Sequence, residues 1–128
     1  MKHIQDDIRA YLTERNWNNL RPGDIAKSIS IEAAELLEVF QWENPELDAV
    51  KADSEKLAEI RNELADVFIY CLDMATLLDL DAESIVREKL EKVKSKYPAE
   101  LFQGVQNSPG TEDIYMKIKQ AHRNQGNA

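Results

Sequence analysis

The sequence predicts an all-α, four-helix-bundle-like protein with a short extra C-terminal helix. Apolar residues recur at helical spacing along most of the chain, and four glycines with four prolines are too few for the tight turns of a sandwich or barrel. Most of those glycines and prolines fall between the periodic stretches, where they punctuate helices.

The first helix, about Ile4 to Arg15, carries Ile4, Ile8, Tyr11 and Leu12 on one face and stops before Asn16-Trp17-Asn18-Asn19. A second opens after Pro22-Gly23 with Asp24 as its expected N-cap, and runs to Glu43, where Asn44-Pro45 ends it. A polar connector, Pro45 to about Ala52, leads into a long third helix reaching about Leu78. The fourth, capped by Asp81, spans Ala82 to Lys96 and halts before Pro98. Loop signals follow at Gln103-Gly104 and Asn107-Ser108-Pro109-Gly110. Thr111 is the expected cap of a last helix over Glu112 to His122, and Arg123 to Ala128 reads as a disordered tail.

At 128 residues, 43% hydrophobic and 31% charged, the chain is long enough for one domain with a real core. Its formal net charge of -8 repels a nucleic-acid backbone, so a DNA or RNA polymer is disfavoured as partner. The N-terminus lacks the pattern of a secretory signal and no stretch approaches membrane-spanning length; a cytoplasmic location is expected. Cys71, the lone cysteine, sits beside Ile69, Tyr70 and Leu72 and reads as a packed thiol.

Two acidic pairs share one spacing: Glu32-Ala-Ala-Glu35 and Glu63-Leu-Ala-Asp66. At helical periodicity Glu32 shares a stripe with Ile29, Leu36 and Val39, and Glu63 with Ile60, Val67 and Tyr70. Acids three apart project from neighbouring points of one face, so two such helices facing each other offer four carboxylates to a common point. Two carboxylates about 4 Å apart repel by roughly 4 kcal/mol at an effective dielectric near 20. Protonation, pairing with a cation such as Lys56 or Arg61, or a bound metal can offset this. Neither Lys56 nor Arg61 is read as sharing the Glu63 stripe. An all-carboxylate set favours Mg²⁺, with Mn²⁺ as a substitute. His3 and His122, near the chain ends, make di-iron and zinc centres poor fits.

Either pair alone is commonplace on a solvated helix. The apolar framing and the aromatic neighbours Phe40, Trp42, Phe68 and Tyr70 raise the functional reading. Trp42, between polar Gln41 and Glu43, suits stacking on a base. Glu38 and Glu59 lie one turn from their pairs and read as solvent-facing or as helpers that orient water. In the run Lys89, Lys92, Lys94 and Lys96, Lys89 is the cation placed to meet a phosphate.

The segments Arg15-Asn16-Trp17, Leu20-Arg21-Pro22, Ser30 to Glu38, Phe40-Gln41-Trp42, Glu63 to Val67 with Tyr70, Lys89 and Lys96-Tyr97-Pro98 together resemble the MazG-like all-α nucleoside triphosphate pyrophosphohydrolases. That group includes the dCTP pyrophosphatases and dimeric dUTPases; here 27 residues, 36 to 62, separate the two pairs. The resemblance implies hydrolysis of a nucleoside triphosphate to monophosphate and pyrophosphate, with Glu32, Glu35, Glu63 and Asp66 as magnesium ligands. It also implies Trp17, Trp42 and Tyr70 at the substrate, Lys89 on phosphate, and assembly as a homodimer or dimer of dimers. Glu35 or Glu38 is the candidate proton acceptor. Val93 departs from the Asn that the family often carries four residues after the lysine. Residues 1–104 form the expected catalytic domain and 105–128 a C-terminal extension. The competing readings are a non-catalytic, metal-stabilised module that binds a nucleotide or protein, and a plain bundle with solvated acids.

Overall fold

A computed structural model describes residues 1–103 and 109–126. Its elements, in order, are α1 (Lys2–Glu14), α2 (Pro22–Glu38), α3 (Leu47–Ala52), α4 (Ser54–Leu77), α5 (Ala82–Lys96), a 3₁₀ turn (Ala99–Leu101) and α6 (Pro109–Asn124). Among the described residues there is no strand, as the glycine and proline usage predicts.

Two of the helix ends are built alike. In α1, Asn16 takes φ 58°, Asn16 N–H donates to the Thr13 carbonyl and Trp17 N–H to the Leu12 carbonyl at 2.9 Å. In α4, Asp79 takes φ 56°, and the same two bonds run from Asp79 to Thr76 and from Leu80 to Ala75 at 2.8 Å. Both are Schellman terminations, with Asn and Asp filling the left-handed position more commonly held by glycine. The α1 termination sets Trp17 edge-on to Tyr11, ring centroids 5.9 Å apart.

Several boundaries differ from those the sequence predicts. Pro22 occupies the first turn of α2, so Arg21 is the N-cap and Asp24 lies inside the helix. α2 also ends at Glu38 rather than Glu43, because Val39, Phe40 and Gln41 donate to carbonyls three residues back and tighten the turn. The polar connector holds α3, which packs on α4. α4 starts at Ser54, where the sequence predicts, with Asp53 as its N-cap, its Oδ1 accepting from the Lys56 backbone N–H at 3.1 Å. α5 spans the predicted residues. α6 begins at Pro109, ahead of Thr111, and runs through Asn124 into the stretch expected to be disordered. The Thr111 side chain and residues 104–108, where loop signals cluster, lie outside the described residues.

The chain divides into two compact units, Met1–Glu83 and Ser84–Ala128. In the first, α4 is the central helix, contacted by α1, α2 and α3. Its core joins Ile8 and Leu12 of α1 to Leu72 and Ala75 of α4 and to Ala82. Gln5 ties the same elements through polar groups. Its Nε2 donates to Thr76 Oγ1 (3.3 Å) and the Leu80 carbonyl (2.9 Å), and its Oε1 accepts from Ala82 N–H (2.9 Å). Because α4 turns Leu72, Asp73, Ala75 and Thr76 inward, Cys71 points outward: the thiol is exposed, not packed. In the second unit Tyr97 stacks on Tyr115 of α6 with centroids 4.9 Å apart and meets Phe102 edge-on at 6.5 Å.

Candidate metal and active site

The contact between α2 and α4 is the most extensive in the first unit, and the acidic pairs lie along it. On α2 and its C-cap the half-buried positions include Ile29, Glu32, Leu36 and Val39; on α4 they include Lys56, Ile60, Glu63, Asp66, Val67 and Tyr70. Each set repeats every three or four residues, so each acid shares a stripe with the apolar side chains that join the helices.

Carboxylate oxygens of Glu32, Glu63 and Asp66 all lie within 4.8 Å of one another. Glu63 Oε2 is buried without a hydrogen-bond partner. Three anionic groups and an orphaned oxygen are costly as they stand, and an oxygen-only donor set suits a hard divalent cation. Glu35 is exposed and stands beside this triad rather than within it. The negative charge of Glu32 raises its proton affinity, a hydrogen bond to Glu32 and burial add to that, and a hydrogen bond involving Glu63 pulls the other way. Glu38 and Glu59 are exposed.

The structure places the other predicted residues less uniformly. Tyr70 is half-buried, one turn beyond Asp66. Trp42, past the end of α2, is 86% exposed, and Trp17 is 45% exposed against Tyr11. Phe40 is half-buried, while Phe68 is exposed on α4. Lys89 belongs to the second unit, where it lines a shallow groove on α5 with Ile85, Val86, Leu90 and Val93. Lys56 lies seven residues before Glu63, on the same half-buried face of α4, contrary to its predicted placement off that stripe. Its ammonium donates to the Val39 carbonyl at 3.0 Å and stands 5.7 Å from the Phe40 ring centroid. The seven-residue spacing from Glu63 is the signal in the sequence that could have located it.

Fold and site together define an all-helical protein whose central helix pair presents clustered carboxylates suited to a metal ion. A profile of the MazG-like family matches residues 27–110, a span that covers both acidic pairs. The chain belongs to the MazG-like family. It is 29% identical over 105 residues to rat dCTP pyrophosphatase 1 and 30% identical over 105 residues to the bovine protein of that name, in each case across 77% of this chain. The chain spans 62% of the length of each. A crystal structure of a pyrophosphatase from Archaeoglobus fulgidus superposes with a TM-score of 0.66 at 35% identity, covering 77% of this chain and 92% of that one. Among the described residues no helix is long and apolar enough to cross a membrane.

Proposed function

We propose that this chain is a Mg²⁺-dependent nucleoside triphosphate pyrophosphohydrolase, acting in the cytoplasm to convert a (d)NTP and water to (d)NMP and pyrophosphate as part of nucleotide-pool housecleaning. The observation that carries the reading is the convergence of Glu32, Glu63 and Asp66 oxygens within 4.8 Å on a half-buried helix contact. Relatives named pyrophosphatases support it. The buried, unpartnered Glu63 Oε2 fits a role as metal ligand with Glu32 and Asp66, and Glu35 completes the set or serves beside it. When bound there, Mg²⁺ supplies positive charge for the phosphate oxygens and lowers the pKa of coordinated water.

The chain's own residues do the rest. Glu35, exposed and with its proton affinity raised by Glu32, is the better placed of the two candidate bases to accept a proton from the attacking water; Glu38, one turn on, is the alternate. Trp42 and Trp17 offer aromatic faces for the base, and Tyr70 borders the acidic face. Lys89 is assigned to phosphate. Stacking on tryptophan tolerates every base, so the substrate preference rests on contacts other than these rings.

Residues 1–104 constitute the catalytic domain in this reading, with 105–128 as an extension. The exposed apolar side chains Ile31 and Leu37 on α2 and Phe68 and Ile69 on α4 support a homodimer or dimer of dimers. A panel of canonical and modified dNTPs, assayed for pyrophosphate with Mg²⁺, tests the activity. Glu32→Gln and Asp66→Asn are expected to abolish release, and wild-type rates in those variants would sink the carboxylate site. Stabilisation by Mg²⁺ without turnover of any triphosphate would instead favour a non-catalytic binding module.

A further inference from the structure

We propose that Lys56 is a positioning residue for Trp42, holding the segment after α2 so that the indole is presented to the substrate base. The proposal rests on the assignment of Trp42 to the base. α2 closes with short-range bonds in which the carbonyls of Leu36, Leu37 and Glu38 accept from Val39, Phe40 and Gln41. The next carbonyl, that of Val39, lies at the negative end of the helix dipole and accepts from the Lys56 ammonium at 3.0 Å. The same ammonium faces the Phe40 ring at 5.7 Å, so one cation fixes the backbone of one residue and the ring of the next. Trp42 follows two residues later. At 86% exposure, and with no ring contact among the described residues, it has little but the backbone of 39–41 to set its direction.

The root of Lys56 is itself fixed. Its backbone N–H donates to Asp53 Oδ1 at 3.1 Å in the first turn of α4, and its half-buried stem lies on the face that two turns later presents Glu63. Lys56 therefore links the helix bearing two of the clustered acids to the segment bearing the exposed aromatic. Loss of its charge releases the segment without removing a carboxylate.

The test combines kinetics with fluorescence. Lys56→Met keeps the stem and removes the charge; it is expected to raise KM for a turned-over dNTP several-fold, with kcat changed less than about twofold, as loss of ground-state binding requires. Lys56→Arg, which can still donate to a carbonyl and stack on a ring, should recover most of the KM. Trp42→Ala should raise KM about tenfold, the scale of one stacked base, and Lys56→Met should add nothing in that background. The chain has two tryptophans, so Trp17→Phe leaves Trp42 as the sole emitter. In that background Lys56→Met should lower the fluorescence anisotropy of the metal-free, substrate-free protein. Unchanged anisotropy together with unchanged KM in Lys56→Met, while Trp42→Ala still raises KM, overturns the role of Lys56 alone. An unchanged KM in Trp42→Ala overturns the assignment of Trp42 and this proposal with it. No turnover of any dNTP by the wild type refutes the pyrophosphohydrolase reading itself.

Discussion

Replacing Glu63 by Gln should stabilise the metal-free protein and destabilise it relative to wild type once Mg²⁺ is present. With oxygens of Glu32, Glu63 and Asp66 within 4.8 Å of one another, each ionised pair repels by about 0.9 kcal/mol at the dielectric of water and about 3.5 kcal/mol at an effective dielectric near 20. Glu63→Gln deletes two of the three pairs. The groups are half-buried and screened by solvent, so the lower figure governs, and a net gain of about 1–2 kcal/mol is expected. The new amide also brings donors to a place where Glu63 Oε2 now has no partner. For a chain of this size the gain corresponds to a Tm rise of roughly 5 °C or more in EDTA.

Mg²⁺ reverses the order. A ligand at a hundred times its Kd stabilises the native state by about 2.7 kcal/mol, and the variant, short of one oxygen anion, forgoes most of that. Thermal melts of both proteins in EDTA and in a saturating Mg²⁺ series at constant ionic strength give the comparison. A Glu63→Gln melting temperature below wild type in EDTA, or an equal rise of both proteins with Mg²⁺, would refute carboxylate repulsion relieved by a bound cation.

Further expectations concern the packing behind the site and its assembly. Gln5→Ala strands the Ala82 N–H and the Leu80 carbonyl and should cost about 2–4 kcal/mol, read as a lower urea midpoint at unchanged slope. Asp73 is 4% exposed with Oδ1 unpartnered, and burial raises its pKa above the ordinary 3.8. The native state therefore holds this proton more tightly than the unfolded chain, and stability is lost as pH rises from 3.8 through the folded-state value. Asp73→Asn should accordingly raise Tm by several degrees at pH 7, with the advantage shrinking as pH falls toward 3.8. Phe68, 55% exposed on α4, is the side chain whose replacement by Asp should dissociate the proposed dimer, seen as a halved mass in light scattering. An unchanged mass would move the interface elsewhere.

The helices and the face each presents are legible in the chain because they depend on local periodicity. Ile29, Glu32, Leu36 and Val39 read as a stripe before any partner is known, and so do Ile60, Glu63, Val67 and Tyr70. What periodicity does not carry is the fine phase and the cross-helix register. Glu32 and Glu35 are three residues apart, a turn of about 300°, so their directions differ by about 60°. Glu63 and Asp66 differ by the same angle, yet both join the clustered oxygens while of the first pair only Glu32 does and Glu35 stays exposed, so cross-helix register rather than spacing decides which acids meet. α3 is illegible for another reason: six residues are too few to show a period or to repay helix nucleation alone, and Leu47–Ala52 gains its support from α4. The contact from Lys56 to the Val39 carbonyl spans 17 residues and becomes available only because α2 stops at Glu38.

Asp73 shows that an acid on an apolar helix stripe is not by itself a metal ligand. Like Glu32 and Glu63 it is an acid on an otherwise inward-facing helix stripe, between Leu72 and Ala75, and it is more deeply buried than either. Its pKa is raised by burial alone, with no neighbouring charge contributing, whereas Glu35 is raised first by the charge of Glu32. A single buried acid lowers its cost by keeping its proton; a group of acids brought together keeps oxygens available to a cation. The paired spacing on two helices that pack against each other, rather than apolar framing by itself, is therefore what distinguishes a candidate metal site from a strained core residue.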